Sequence, residues 1–166
     1  VWGKEDTAIT IQIDQMLAEK FGMEYTDKDG SKKIPYIIHR TSLGCYERTL
    51  AYLIEKFAGA FPTWLAPTQV KILNIADAHL DYARLVKEKL EANGVRVELD
   101  DRNEKIGKKI RDAQLEKVPY SLVVGDNEMN SNSVAVRKRS VGDQGTMALD
   151  EFINKIMEEI RTKSLN

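Results

Sequence analysis

Little in this chain of 166 residues can cross-link it, anchor it in a bilayer or attract a partner from a distance. A single cysteine, Cys45, excludes an internal disulfide and suits a reducing compartment. No apolar run approaches the roughly 18 residues of a membrane helix, so no membrane partner is expected. No charged-then-apolar leader opens the chain, and cytoplasmic is the default location. Charge of one sign is missing too: 25 Lys and Arg against 26 Asp and Glu leave a net charge of −1. That excludes a global field for nucleic acid, so any polyanion site must be a local patch. There is no internal repeat and no low-complexity tract. What is present is a hydrophobic content of 42%, ordinary for a folded domain. The length allows one good core, or a small domain plus a fragment of another.

The first third reads as antiparallel. Ile9 to Asp14 alternates apolar and polar residues, a half-buried strand. Phe21 to Tyr25 and Lys33 to His39 flank Asp27-Lys28-Asp29-Gly30 and read as a hairpin. A calcium loop does not fit that turn, because its glycine comes too early and no glutamate closes it. Gly44 then opens a helix over 46–58 with Leu50, Leu53, Ile54 and Phe57 as its apolar stripe. With little to cover its sheet, this segment looks like the tail end of a larger domain, cut at Val1. Phe61 to Pro67 is too rich in proline for a helix or inner strand and reads as a boundary packed by its aromatics. The division is therefore 1–63, a linker 64–67, and 68–166.

Beyond it the pattern is α/β. Strands are expected at 69–75, 95–99, 120–124 and 133–139, and helices at 79–93 and 104–117. A polar hairpin link is expected at 127–132. A last helix carries Leu149, Phe152, Ile153, Ile156 and Ile160 on one side. This order predicts a mixed, mostly parallel sheet flanked by helices, with an antiparallel edge from the hairpin.

Residues 100–128 are the most informative. A strand runs into a polar turn, a basic helix follows, and a Pro-led apolar strand closes the unit. Asn103, Lys108 and Arg111 are placed beside one another at the mouth of a small sheet. Such a mouth suits a polyanion with readable base edges better than a small apolar ligand. Lys105, Lys108, Lys109, Lys138 and Arg139 read as unspecific phosphate attraction or a solvated face. In the first third, Ile37 to Arg48 runs from a strand end through glycine into a helix. Arg48 there is a permanently charged fork suited to phosphate. On spacing alone, an ordinary salt bridge by Arg48 and a plain turn at Gly44 stay ahead.

The same block, ending in Glu47-Arg48, resembles motif 3 of class II aminoacyl-tRNA synthetases. Ile38-His39-Arg40 followed by Leu43 to Arg48 is more closely similar to the threonyl-tRNA synthetase family. Ala58 to Pro67 resembles that family's join between catalytic and anticodon-binding domains. Asp101 to Gly107 and Val118-Pro119-Tyr120 resemble its anticodon-binding domain. The resemblance runs from about Thr10 to Leu165, in order.

It implies that the parent ligates threonine to tRNA(Thr) using ATP with magnesium, as a homodimer with a catalytic zinc. It implies that Arg48 holds the ATP γ-phosphate, that His39 is one of three zinc ligands, and that Gln12 lies in the threonine site. Cys45 falls where members carry serine beside the nucleotide. Asn103, Arg111, Glu128 and Arg137 match residues that contact the anticodon loop. Their chemistry suits base edges: Asn pairs bidentately, Arg reads guanine and Glu accepts from an exocyclic amine. Where the family has Trp-Gln-Cys, this chain has Asp6-Thr7-Ala8. Motifs 1 and 2 and two zinc ligands are missing, and His79 is the only other histidine. The fragment alone is therefore expected to be inactive and its zinc site incomplete. Two other readings stand beside this one. A free-standing anticodon-domain homologue, acting as an RNA-binding accessory protein, would have no use for Arg48 or His39. A small-ligand α/β protein would show no salt-dependent RNA binding.

Overall fold

Alternation between buried apolar strands and amphipathic helices builds most of this chain. Its structure, a computed structural model, describes residues 7, 9–41 and 45–165. Gly44 and Leu43, with Asp6 and Ala8, lie outside the described residues. The contacts divide the chain into two compact units, Val1–Lys56 and Phe57–Asn166.

In the first unit, β1 (Ile11–Asp14) pairs antiparallel with β4 (Ile37–Arg40), in the register Gln12↔His39 and Ile13↔Ile38. β2 (Tyr25–Thr26) and β3 (Lys32–Lys33) form a separate hairpin around the 27–30 turn. Asp27 there pairs with Lys33. Asp29 accepts from the Ser31 N–H and hydroxyl at 2.9 and 2.6 Å, so both carboxylates serve the turn. The strand expected over 33–39 is broken because Pro35 lacks the N–H a ladder needs. The strand expected over 21–25 is mostly replaced. A one-turn helix, α1 (Leu17–Lys20), occupies the chain just before it, with N–H groups of Met16 and Leu17 held by Asp14 Oδ1 at 2.8 Å. α2 (Tyr46–Phe57) follows with no buried residue.

The second unit is a five-stranded sheet in the order β6-β5-β7-β8-β9. β5 (Val70–Asn74) and β7 (Tyr120–Val124) are buried along nearly their whole length, as suits parallel strands covered on both faces. β6 (Val97–Asp100) pairs parallel with β5, and β5 parallel with β7. β8 (Ser133–Lys138) runs antiparallel to β7, and β9 (Gly142–Ala148) antiparallel to β8. Four of the five strands therefore point the same way. The crossovers are α3 (Leu80–Ala92), entered through a 3-10 turn (Asp77–His79), and α4 (Ile106–Leu115). α5 (Asp126–Ser131) joins β7 to β8, and α6 (Leu149–Arg161) closes the fold. α3 ends in a Schellman motif: Gly94, at φ +78°, and Val95 donate to Glu91 and Leu90 at 2.8 and 3.1 Å.

Strand alternation then sorts the sheet faces. Val70, Ile72, Tyr120, Leu122, Val134 and Val136 meet α3 and α6 in the main core. The opposite face carries Lys71, Ser121 and Arg137. The link expected at 127–132 is instead α5, and β9 is an additional strand that the sequence reading leaves as loop.

The proline-rich segment is bonded into the second unit. Arg96 donates to the carbonyls of Trp64 and Ala66 at 2.8–2.9 Å. Arg139 donates to Ala60 and Phe61 at 3.1 and 2.9 Å. The Thr63 hydroxyl donates to Glu159 at 2.6 Å.

Candidate nucleic-acid interface

The parallel strands β5, β6 and β7 all end at one edge, where Leu73 lies beside Asp100 and Asn74 beside Val124. Loops leaving parallel strands at this edge make the usual ligand crevice of an open α/β sheet. Here they enclose a cleft of about 220 Å³ lined by Asn74, Ala76, Asp77, Arg102, Asn103 and Lys109.

Asn103 is exposed in that cleft and makes no hydrogen bond among the described residues. Its neighbour Arg102 is locked: the guanidinium grips Asp100 through Nε and Nη2 at 2.8 and 2.7 Å and reaches Asp112 at 2.9 Å. That grip holds the buried Asp100 carboxyl below its ordinary range. Glu128 also leaves the sheet at this edge, three residues into α5. Its carboxylate turns back to accept the Gly125 N–H at 3.0 Å, which caps the helix.

Arg111 lies on the exposed side of α4, and its guanidinium makes no hydrogen bond among the described residues. Arg137 sits on the α4 side of the sheet, beside Ile110 and Gln114 of that helix, and donates to Asp143 at 2.9 Å. It is opposite Ser121, near the start of β7, while Glu128 follows the end of β7. Asn103 and Glu128 thus share the strand-end edge, and Arg137 shares a sheet face with α4.

Of the cations expected on a solvated face, Lys109 is buried and Lys138 and Arg139 are half-buried. Lys109 is 1% exposed, with Nζ donating to Asn74 O, Asn74 Oδ1 and Asp100 O at 3.2, 2.8 and 2.9 Å. Lys138 donates to Glu159 at 3.2 Å and lies 5.2 Å from the Tyr120 ring centroid. Arg139 holds the proline-rich segment, and burial lowers its pKa. Lys108 is exposed and pairs with Glu104. A signal for Lys109 existed: Ile106, Lys109, Ile110 and Ala113 keep the i, i+3, i+4, i+7 spacing of a buried stripe. Sequence reasoning also missed His79 as a strut. Its Nδ1 accepts the Ala76 N–H at 3.1 Å, so Nε2 carries the proton donated to Asp126 at 3.0 Å.

In the first unit, Gln12 and His39 are direct cross-strand partners and so project from the same face of the β1–β4 ribbon. His39 Nε2 lies 3.9 Å from Asp14 Oδ2. Arg48 donates to the Thr7 carbonyl at 3.0 Å. The Cys45 thiol is free of disulfide and donates to Glu47 Oε2 at 2.7 Å, which lowers the Glu47 pKa. Among the described residues no group of three or more His, Cys, Asp or Glu side chains could hold a metal ion. His39 is therefore a single donor, and the residues present do not by themselves fit a zinc site. Among the described residues no helix is long and apolar enough to cross a membrane.

The second unit is thus an open α/β domain with a polar strand-end cleft beside a helix, α4, whose Lys108 and Arg111 face solvent. The sequence profile described as "Anticodon binding domain" matches residues 69–159, and the chain belongs to that family. It is 61% identical over 163 residues to a threonine–tRNA ligase of Clostridium perfringens (strain SM101 / Type A), across 98% of this chain and 25% of the relative. It is 54% identical over 155 residues to a threonine–tRNA ligase of Clostridium botulinum (strain Okra / Type B1), across 93% of this chain and 24% of the relative. Among solved structures it is similar to the RNA-binding domain of threonyl-tRNA synthetase from Cryptosporidium parvum Iowa II. That likeness has a TM-score of 0.77 and 34% identity, over 95% of this chain and 40% of the other. The chain spans about a quarter of the length of the curated relatives it matches.

Proposed function

We propose that this chain is the carboxy-terminal part of a threonine–tRNA ligase and that its second unit reads the anticodon loop of tRNA(Thr). The observation that carries this is the 61% identity across 98% of the chain. It spans the motif 3 block and the anticodon-binding region together. A free-standing anticodon-domain homologue would share only the second. Asn103, Arg111, Glu128 and Arg137 are the proposed base readers. The side chains of Asn103 and Arg111, which make no internal hydrogen bond among the described residues, have their donors available to a ligand. Arg137 and Glu128 would exchange Asp143 and the Gly125 N–H for base edges. The exposed Lys105 and Lys108 supply phosphate attraction that salt screens.

In the whole enzyme, threonine is activated by ATP with magnesium and passed to the terminal ribose of the tRNA, in a cytoplasmic homodimer. Arg48 would hold the γ-phosphate, with Cys45 beside the nucleotide. Gln12 and His39, facing one another across the ribbon, would border the amino-acid site. His39 would be one zinc ligand, with the others supplied from outside this chain. The chain by itself catalyses neither step, so threonine-dependent ATP–pyrophosphate exchange by it would overturn that part.

Filter binding to an RNA hairpin bearing the tRNA(Thr) anticodon, and to hairpins with single anticodon substitutions, tests the reading at two salt concentrations. The matched hairpin is expected to bind more tightly and to weaken with salt. Arg111→Ala is expected to lose about tenfold or more, as one base-reading fork does. Equal binding of matched and substituted hairpins would contradict it.

A further inference from the structure

We infer that Lys109 is a positioning residue for RNA recognition. Through Asn74 and His79 it sets the spacing between the loop that carries Asn103 and the helix that carries Glu128. This rests on the reading that the second unit recognises an anticodon.

The connection can be followed atom by atom. The Lys109 ammonium has three protons and three oxygens around it: Asn74 O, Asn74 Oδ1 and Asp100 O. Asp100 is the last residue of β6, and Asn74 the last of the adjacent β5, so one side chain ties two strand ends together. Asn74 passes the constraint on, because its Nδ2 donates to the Ala76 carbonyl at 3.0 Å. The Ala76 N–H donates to His79 Nδ1 at 3.1 Å, and His79 Nε2–H donates to Asp126, the first residue of α5, at 3.0 Å. On the other side of Lys109, Asp100 holds Arg102, and Asn103 is the next residue. Every link is a directional bond, so the loop that carries Asn103 and the helix that carries Glu128 cannot drift independently.

Stability alone does not account for a lysine here. Burying an ammonium carries a desolvation penalty that a leucine in the same stripe would avoid, and apolar replacement of buried ionic groups is often neutral or stabilising. A rigid first contact, in contrast, needs side chains fixed by a supporting network. Asn103 has no hydrogen bond of its own among the described residues, so its placement depends on the backbone that Lys109 and Arg102 pin.

The test uses the 166-residue chain and the hairpins above, with variants Asn103→Ala, Lys109→Met, the pair together, and Asp126→Ala. Lys109→Met is expected to reduce discrimination at the base read by Asn103 by about tenfold. In the double variant, discrimination should be no worse than in Asn103→Ala, since both changes remove one function. A merely structural lysine would lower the melting temperature, or weaken all hairpins alike, and leave the preference intact; that result overturns the inference. Should Lys109→Met not fold, Asp126→Ala decides, because Asp126 is at the surface and holds the far end of the relay. Loss of preference at the base read by Glu128 supports the relay, and an unchanged preference there overturns it. If wild type and Asn103→Ala both bind matched and substituted hairpins alike, the anticodon reading itself has failed.

Discussion

The two units of this chain use their apolar residues in opposite ways. In the second, Phe152, Leu122, Ile72 and Ile156 are wholly buried between α3, α6 and the sheet. In the first, Ile11, Ile13 and Ile38 stand on one face of the β1–β4 ribbon at 64, 63 and 66% exposure. The first unit's ribbon alternates clearly and still leaves its apolar face exposed, so patterning tells which face wants cover and not whether cover is present. A ribbon of two short strands is marginal by itself, whereas five strands with helices on both faces close a core.

The sharpest way to break this comparison is to separate the units. Residues 57–166 alone are expected to unfold cooperatively with nearly the midpoint of the whole chain, and residues 1–56 alone to show no cooperative transition by circular dichroism. A cooperative transition in 1–56 would remove the distinction. Next in size is the contrast between core and ribbon truncations. Phe152→Ala should destabilise by about 3–5 kcal/mol in urea titrations, whereas Ile38→Ala should change stability by no more than about 0.5 kcal/mol. Smaller again is the proline-rich segment. Gln69 donates to Thr63 O and accepts from the Arg96 N–H, both at 2.9 Å and both buried or half-buried. Gln69→Leu is expected to cost about 1–3 kcal/mol, read in the same titrations, because it leaves a buried polar group unpaired.

The last contrast concerns pH. Asp100 has its carboxyl pKa lowered by Arg102. Glu159 is also lowered: burial opposes the shift, and donors from Thr63, Tyr120 and Lys138 outweigh it. A depressed acid contributes stability above its unfolded pKa of about 4 and loses it as pH falls through the folded value. Tyr120 is raised by burial and by the Glu159 carboxylate, so its contribution is present below pH of about 10 and lost above it. Stability against pH should therefore fall on both limbs. Asp100→Asn should flatten the acid limb and Tyr120→Phe the alkaline one.

Much of the second unit was legible in its residues. β7 falls at 120–124 as expected, and α6 presents the stripe that Leu149, Phe152, Ile153 and Ile156 describe. α5 and β9 were not legible, for physical reasons. Asp126 to Ser131 has no apolar period, and only Glu128 three residues beyond Gly125 hints at a cap. Gly142 to Ala148 holds two glycines and polar residues, and it is a strand only because β8 offers it a partner. The candidate readers were legible through family resemblance, while the struts beneath them were not. A charged residue in a sequence reads as solvated until tertiary packing encloses it, as it does Lys109, or half-covers it, as it does Arg139.

One measurement bears most directly on the claim that RNA recognition resides in the self-contained unit. Fluorescence anisotropy of the tRNA(Thr) anticodon hairpin, titrated with residues 57–166 and with the whole chain side by side, should give matching affinities and the same preference over a hairpin with substituted anticodon bases. Binding that vanishes when residues 1–56 are removed, or that ignores the anticodon bases, would contradict the account.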